Sequence, residues 1–365
     1  MWPDHRLIDL LEIEHPIVLS PMAGFVTVDL AAAVCNAGGL GSIGCGPMEP
    51  EVAAKTIRAL RGLTDKPIHV NFFCHAQAKT APAREEAWRD RLLPYYRELG
   101  IDSAIPVPRI DIQSFDDARC KIVEETKPEV VSFHFGLPNS TLLDRVKAAG
   151  CRIMASATTV AEARWLEMHE VDIIIAQGYE AGGHRGTFLT QPSNSVSTSQ
   201  PGTLALVPQV VDAVKVPVVA AGGIADGRGI AAAFALGAAG TQLGTAYLLC
   251  PEAATSKPHR DALRDADSEA TFVTNVFTGR PARALSNRLA LEIGPIANGL
   301  PDFPLPMGPL ALLRAKAETK GNSDFTPFWS GQASPLGREM PAGDLTRRLV
   351  QAAFDRLKQL SKPRP

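Results

Sequence analysis

Residues 172–188 read Asp-Ile-Ile-Ile-Ala-Gln-Gly-Tyr-Glu-Ala-Gly-Gly-His-Arg-Gly-Thr-Phe, an apolar run that opens into a glycine-rich loop. A near-continuous apolar run is typical of a parallel strand that is covered on both faces. Glycine permits positive φ angles and close approach of the backbone to a ligand. Because Gly182, Gly183 and Gly186 surround His184, the stretch predicts a buried strand that ends in a ligand-binding loop.

The same succession of a short apolar run and an Ala-rich helical stretch recurs along the chain. The predicted strands are 16–20, 40–44, 68–73, 130–136, 152–157, 172–177, 217–221 and 241–247. Helical candidates are 28–37, 52–60, 141–149, 160–169, 207–214 and 229–236. This alternation predicts an α/β fold with a parallel sheet. Its eight units indicate a (β/α)8 TIM barrel, and an open doubly wound sheet is the competing architecture.

Two intervals between the predicted strands are long. Residues 74–129 include an aromatic stripe at helical spacing, which we interpret as packing, and a candidate ninth strand at 102–107. The stripe consists of Trp88, Leu92, Tyr95, Tyr96 and Leu99. Residues 191–202 are rich in Ser, Thr, Pro and Gln, which predicts a mobile surface loop or lid.

The alternation fades towards the C-terminal third, which predicts the domain organisation. Residues 1–248 would form the barrel, and 249–342 a smaller region packed over one end of it. A final amphipathic helix at 343–362 would complete the barrel. Its apolar stripe consists of Leu345, Leu349, Ala353, Leu357 and Leu360.

Composition excludes several function classes. The chain has 365 residues, of which 45% are hydrophobic and 21% charged, as in an ordinary globular enzyme. A net charge of −2 and 6% aromatic residues argue against a nucleic-acid partner. No signal core or membrane-length apolar run is present in the sequence, so we expect a cytoplasmic protein without a membrane partner. The six cysteines lack zinc-ligand spacing, so they predict free thiols and no metal site.

Polar residues collect where the predicted strands end, which is where barrel enzymes place their function. Asn71, His134, Ser156 and Gln177 occupy such positions. Farther along, a strand ends in Gly222-Gly223 before a helix, and the last strand ends in Gln242-Leu-Gly-Thr245. Backbone amides and a helix N-terminus at such a turn favour an anion, so these two segments predict a phosphate site.

His184 differs from the other histidines because it lies in a glycine-rich loop instead of a periodic element. An imidazole with an ordinary pKa near 6.5 can accept or donate a proton close to neutrality. Its neutral form can also hydrogen-bond an anionic substrate. We therefore interpret His184 as a functional residue; His5, His15, His169 and His259 look like surface or turn residues.

Together these segments resemble the nitronate monooxygenases, formerly called 2-nitropropane dioxygenases, and class I members in particular. The resemblance extends from about residue 17 to 332. It is carried by residues 19–24, 71–75, 132–136, 177–186, 221–224, 242–245, 278–283 and 329–332. The Glu-Ala-Gly-Gly-His element at 180–184 also occurs in a sister group, the flavin-dependent enoyl-acyl-carrier-protein reductases.

The resemblance implies a TIM barrel that holds non-covalent FMN. The cofactor-binding candidates are Pro21, Met22, Ala23, Asn71, Ser156, Gln177, Gly182, Gly183, Gly222, Gly223, Gln242, Leu243, Gly244 and Thr245. His184 and His134 would be the catalytic residues, with His134 facing the same pocket as the active-site histidine His184. The implied reaction is oxidation of an alkyl nitronate, or of a nitroalkane, by O2 to a carbonyl compound and nitrite.

One departure from the family concerns the substrate pocket. Many class I members carry tyrosines and a lysine in the segment that matches 300–311. This chain has Phe303 and Met307 there and no lysine before Lys316. We therefore expect a pocket wall that is more apolar and less cationic.

Two other functions fit the same barrel. One is an NAD(P)H-dependent FMN reductase that acts on an enoyl thioester or a quinone. The other is a non-catalytic barrel that stores or senses flavin. The expected partners are a small-molecule substrate and O2, and a homodimer is a candidate assembly.

Overall fold

The computed structural model describes residues 1–189, 200–267 and 269–361 and shows a barrel of eight parallel strands. These are β1 (Ile17–Leu19), β2 (Gly41–Gly44), β3 (Ile68–Phe73), β4 (Val130–His134), β5 (Arg152–Ala157), β6 (Ile173–Gln177), β8 (Val218–Ala221) and β9 (Gly240–Leu243). They pair in the order β1-β9-β8-β6-β5-β4-β3-β2. A parallel bridge between Val18 and Leu40 joins the two ends. The predicted TIM barrel is therefore confirmed, and the open sheet is not formed.

The helices of the described residues lie around the barrel, at its lower end and within residues 249–342. They are α1 (Arg6–Leu11), α2 (Val28–Asn36), α3 (Pro50–Arg61), α4 (Pro82–Leu99), α5 (Asp117–Thr126), α6 (Ser140–Ala148), α7 (Val160–Met168), α8 (Thr203–Ala213), α9 (Gly227–Ala235), α10 (Lys257–Asp265), α11 (Arg288–Ile293), α12 (Met307–Glu318) and α13 (Ala342–Leu360). Short 3-10 turns lie at Thr245–Tyr247 and Ser334–Leu336. Side chains at the helix starts accept backbone N–H groups, as Thr27, Thr159 and Asp226 do.

The alternation of side chains along β6 shows how the barrel core is divided. Ile173 and Ile175 point inward and join a cluster with Leu7 and Leu11 of α1, which closes the lower end. Ile174 and Ala176 belong to the outer cluster, between the strands and the surrounding helices. Both faces are buried because successive side chains of a strand point to opposite sides.

Residues 249–342, which we call the cap, contribute a second small sheet. Here β10 (Thr271–Thr274) pairs with β11 (Ala282–Leu285), and β11 pairs with β7 (Gly183–His184) from the barrel part of the chain. The cap core extends beyond its own residues, because α4 packs against α12. Trp88 Nε1 donates a hydrogen bond to the Pro306 carbonyl at 3.2 Å, so the aromatic stripe of α4 is packing, as expected. The division of the chain at residue 248 stays a prediction.

The last helix, α13, packs against α9 and α2. Leu345, Leu349 and Ala353 are buried, as the predicted stripe requires, whereas Leu360 is 62% exposed at the frayed end. Gly227 at the start of α9 provides the close approach, because a Cβ there would lie 2.3 Å from the Ala352 carbonyl carbon. Helix α13 therefore packs against the outside of the barrel along most of the length of the helix.

Several sequence expectations differ from the structure. Residues 102–107 form turns and irregular chain instead of a strand, and the segment carries Pro106, which has no backbone N–H to donate to a sheet. The last barrel strand ends at Leu243, where Gly244 leads into the 3-10 turn. His259 is buried and stacks on Phe328 at 4.7 Å, so its expected surface position was wrong. Of the predicted loop or lid at 191–202, residues 191–199 lie outside the described part of the chain.

Candidate active site

One cavity of about 520 Å³ lies at the carboxyl ends of the barrel strands, beneath the cap. It brings together nearly all the residues that the sequence singled out. These are Pro21, Met22, Ala23, Asn71, His134, Ser156, Gln177, Gly182, Gly183, His184, Gly222, Gly223, Gln242, Gly244, Thr245, Phe303 and Met307. Leu243 is the exception, because its side chain packs in the outer hydrophobic core. Strand alternation explains this, since its neighbours Gln242 and Gly244 face the cavity.

His184 lies on a short strand, not on the irregular loop that its glycines predicted. Gly183 pairs with Arg283 and His184 with Ala282, so β11 provides the hydrogen-bonding partner. The side-chain amide of Gln177 also hydrogen-bonds the backbone of residues 184–186. Its Nε2 donates to the His184 carbonyl at 2.9 Å, and its Oε1 accepts from the Gly186 N–H at 2.8 Å. The Gln177 side chain therefore fixes the backbone of the histidine segment.

His134 uses both ring nitrogens within the protein. Nε2 lies 3.2 Å from the His184 carbonyl, which can only accept, and Nδ1 lies 3.0 Å from Ser156 Oγ. Burial lowers the pKa of His134 to about 4, so the ring is neutral at pH 7. Nε2 must then carry the proton, and Nδ1 accepts from the Ser156 hydroxyl. The His134 ring therefore holds the backbone of His184, and a direct catalytic role for His134 stays a prediction.

The His184 ring is held at one nitrogen only. Its Nε2 lies 2.9 Å from Thr278 Oγ1, and Nδ1 makes no hydrogen bond to another of the described residues. Three aromatic rings surround it, with centroids 5.5–5.8 Å away: Phe135, Phe303 and Trp329. Burial and the nearby histidine and arginine lower the pKa of His184 to about 3. At neutral pH the ring is therefore uncharged and has a nitrogen left for a ligand.

The charged groups near His184 favour an anion. Arg280 lies with its guanidinium 3.9 Å from the Phe135 ring centroid and donates to the Thr187 carbonyl at 2.8 Å. Its nearby charge helps to keep His184 neutral. The buried carboxylate Glu162 attracts Arg280, but it is occupied by donors from Thr158 and Phe188.

The strand-end glycines have the backbone that a phosphate cradle needs. Gly222 and Gly223 have φ angles of +111° and +70°, which favour glycine. A Cβ on Gly222 would lie 3.0 Å from both Ala181 N and Thr203 Oγ1. Within residues 1–189, 200–267 and 269–361, the N–H groups of Gly222 and Gly223 have no backbone acceptor. These donors border the cavity and are available to an anionic group.

Two side-chain amides leave acceptor oxygens at the cavity. Asn71 Nδ2 donates to Ser132 Oγ at 2.8 Å, which leaves its Oδ1. Gln242 Oε1 is buried and has no partner among the described residues, while its Nε2 lies 3.5 Å from Ser20 Oγ. An unpaired buried acceptor costs about 1–3 kcal/mol. The site therefore fits a ligand that brings N–H donors, such as the ring system of a flavin.

Several residues that line the cavity were not predicted from the sequence. Thr278 and Trp329 belong to segments that carried the family resemblance, but no role was assigned to them. Ile110, Ala311 and Arg314 also line the cavity. Their positions depend on how the cap folds over the barrel. The expectation of a less cationic wall is therefore incomplete, because Arg314 contributes a guanidinium.

Within residues 1–189, 200–267 and 269–361, no group of three metal-binding side chains comes together. All six cysteines are free, and five of them are buried. In the same ranges no helix has the length and apolar character to cross a membrane.

Comparisons with known proteins agree with this geometry. The family described as nitronate monooxygenase matches residues 4–352. A nitronate monooxygenase of Pseudomonas aeruginosa is 42% identical over 348 residues, covering 95% of this chain and 98% of that protein. One from Paraburkholderia phytofirmans is 42% identical over 358 residues, covering 97% of this chain and 96% of its own length.

Solved structures give the same picture. Nitroalkane oxidase from Streptomyces ansochromogenes superposes with a TM-score of 0.88 at 38% identity, covering 98% of this chain and 100% of that one. FabK from Thermotoga maritima is more distant, with a TM-score of 0.73 and 32% identity over 99% of both chains. The family match extends over nearly the whole length of this chain, and the predicted barrel and cavity are present. This chain therefore belongs to the nitronate monooxygenase family.

Proposed function

We propose that the protein binds FMN in the cavity and oxidises alkyl nitronates with O2 to a carbonyl compound and nitrite. The observation that carries the proposal is that, among the described residues, neither His184 Nδ1 nor the N–H groups of Gly222 and Gly223 have a hydrogen-bond partner, and that all three residues line the same cavity. A substrate-binding group and a phosphate cradle thus share one enclosure. The relative from Pseudomonas aeruginosa is named a nitronate monooxygenase, and the Streptomyces protein a nitroalkane oxidase.

FMN fits the groups that the cavity leaves unpaired. Gly222 and Gly223 would donate their N–H groups to the phosphate, together with the backbone around Thr245. Gln242 Oε1 and Asn71 Oδ1 would accept from the ring system. Bound FMN would supply the electron transfer between the nitronate and O2, which no side chain of this chain can perform.

The role of His184 follows from its protonation state. A neutral imidazole cannot pair with the nitronate as a cation, so it would bind the anion by a hydrogen bond. With a neutral nitroalkane, Nδ1 would instead accept the proton on the carbon next to the nitro group, in the tautomer whose ring proton lies on Nε2 and is donated to Thr278 Oγ1. The nearby charge of Arg280 favours the anion that results. The Thr278 hydroxyl and the His134 ring hold the imidazole and its backbone in place.

The test is an anaerobic titration of the purified flavoprotein with propyl-2-nitronate and, separately, with NADH. We expect the nitronate to change the flavin absorbance and, once O2 is admitted, to release nitrite in repeated turnovers. NADH should leave the absorbance unchanged. Bleaching by NADH without nitrite release would favour the reductase alternative, to which the FabK match lends its support. A flavoprotein inert to both donors would favour flavin storage.

Two further expectations accompany the proposed function. A cytoplasmic location is tested by fractionation of the producing cells. A homodimer is tested by sedimentation equilibrium of the flavoprotein.

A further inference from the structure

One face of α12 lines the cavity beneath the cap. Met307, Leu310 and Ala311 all line it, at the i, i+3 and i+4 spacing that brings side chains together on a helix. Arg314 follows at i+7 and ends the stripe. The stripe from residue 307 to 314 extends about 10 Å, at about 1.5 Å per residue.

Further apolar residues that line the cavity come from the loop before α5 and from the cap. They are Ile110, Ile112, Phe277, Phe325, Pro327 and Trp329. We call the space between these walls and the α12 stripe the apolar chamber. Its Trp329 ring lies 5.5 Å from the His184 ring and 5.8 Å from that of Phe277. The chamber is therefore continuous with the reacting site.

A small nitronate would leave most of these walls in contact with water. Burying apolar surface contributes about 25 cal/mol per Å², or about 0.8 kcal/mol per CH2. A chamber about 10 Å long matches an extended chain of about eight bonds, since three such bonds span about 3.3–3.6 Å. An apolar substituent of this length would contact the α12 stripe along its whole extent.

A charged substituent would gain less in the chamber. Arg314 is the charged residue at its end, and its Nε already donates to Glu318 Oε1 at 2.7 Å. The Arg314 side chain is 52% exposed, so water screens its charge. A carboxylate on the substrate would have to compete with Glu318 and be desolvated among aromatic rings.

We propose that the apolar chamber selects nitronates with an extended apolar substituent of about six to eight carbons over short or carboxylate-bearing ones. This inference rests on the proposed function, because it names the substrate class of the same site. Phe303 and Met307 contribute to the selection, since they place carbon and sulfur where a polar side chain would attract charge.

The main experiment measures nitrite release by the wild-type flavoprotein from the nitronates of nitroethane, 1-nitrobutane, 1-nitrohexane and 1-nitrooctane. We expect kcat/KM to rise about 10- to 250-fold from the ethyl to the hexyl compound, because four CH2 groups each contribute up to about fourfold. The nitronate of 3-nitropropanoate should be a poorer substrate than the hexyl compound. A flat series, or a preference for the carboxylate, would overturn the inference and leave the proposed function intact.

A matched pair of variants locates the effect. Ala311 lines the chamber, and Ala315 is exposed one turn later on the same helix. We expect Ala311→Phe to reduce the hexyl-to-ethyl ratio of kcat/KM at least tenfold, whereas Ala315→Phe should keep it. Equal ratios in the two variants and the wild type would contradict the placement of the chain along α12.

Calorimetry separates failure of the inference from failure of the proposed function. Anaerobic titration of the His184→Asn flavoprotein, which lacks the base, with neutral 1-nitrooctane and with nitroethane measures binding without proton removal. We expect tighter binding of the octyl compound and a more negative heat-capacity change, the signature of apolar burial. If no nitronate released nitrite, the proposed function would fail. Equal affinities for the two compounds would then also overturn the chamber's selectivity.

Discussion

Replacing Thr278 by valine would remove the hydroxyl that holds the His184 ring while keeping the branched shape of the side chain. Thr278 is 3% exposed, and its Oγ1 lies 2.9 Å from His184 Nε2. A buried polar atom that loses its partner costs about 1–3 kcal/mol. If the imidazole keeps its position, this cost lowers the free energy of unfolding. If the ring turns to find another partner, the cost appears in turnover instead.

The cost of about 1–3 kcal/mol can also be expressed as a change in kcat/KM. Since about 1.36 kcal/mol corresponds to a factor of ten, Thr278→Val should lower kcat/KM for 2-nitropropane about 5- to 150-fold. Propyl-2-nitronate needs no proton removal, so its kcat/KM should fall less. The assay is the initial rate of nitrite release from each substrate at pH 7, combined with thermal unfolding of the same samples.

Two control variants make this prediction specific. Thr278→Ser restores the hydroxyl and should keep turnover within about threefold of the wild type, a difference below 1 kcal/mol. Thr255 Oγ1 is buried without a partner among the described residues, so Thr255→Val should leave turnover unchanged and stability equal or higher. The reasoning is refuted if Thr278→Val retains both wild-type turnover and wild-type stability, or if the serine variant loses as much as the valine variant.

Three further predictions address the histidines and the barrel. His184→Asn should lower nitroalkane turnover by about 10²–10⁴-fold and nitronate turnover less; equal losses would contradict a role as base. Burial lowers the pKa values of His184 and His134 to about 3 and about 4. Their contribution to stability is therefore complete above pH 6.5 and lost as the pH falls towards those values. At pH 5 the loss is about 2 kcal/mol for each ring, which urea unfolding at pH 7.5 and 5 would measure; an unchanged free energy would count against it. Gly227→Ala should force α13 away from α9 and lower stability by about 1–3 kcal/mol, whereas Gly62→Ala, with 3.4 Å to its nearest neighbour, should leave the melting temperature nearly unchanged.

The barrel was predictable because each strand carries the same local pattern. The run 172–177 is apolar on both faces, and its neighbours repeat that character with helical stretches between them. The element bounds moved by only a few residues, as at the last strand, which ends at Leu243. The periodicity of apolar residues did not predict those elements whose conformation depends on tertiary contacts. Gly183 and His184 form a strand only because β11 approaches them from 98 to 100 residues later, a pairing that no local pattern encodes.

The floor of the candidate site was predictable for a related reason. Asn71, Gln177 and Gln242 stand at strand ends, and a parallel barrel brings all such ends to one rim. The functions of individual atoms were not predictable. The Gln177 amide bonds the His184 segment through both its nitrogen and its oxygen, and the His134 ring bridges Ser156 and a carbonyl. Which donor meets which acceptor depends on distances that residue type and spacing do not contain.

The pairing of β7 with β11 also restricts how this enzyme can be re-engineered. Residues 183–184 and 282–283 come from opposite parts of the chain, yet they share one ladder of backbone hydrogen bonds. Truncation after the last barrel strand, or exchange of the whole cap for that of a relative, would release the histidine backbone as well as uncover the cavity. Substitutions on α12 avoid this damage, because that helix borders the cavity without joining the ladder. Directed evolution of substrate range should therefore randomise 307–314 and keep 278–285 unchanged.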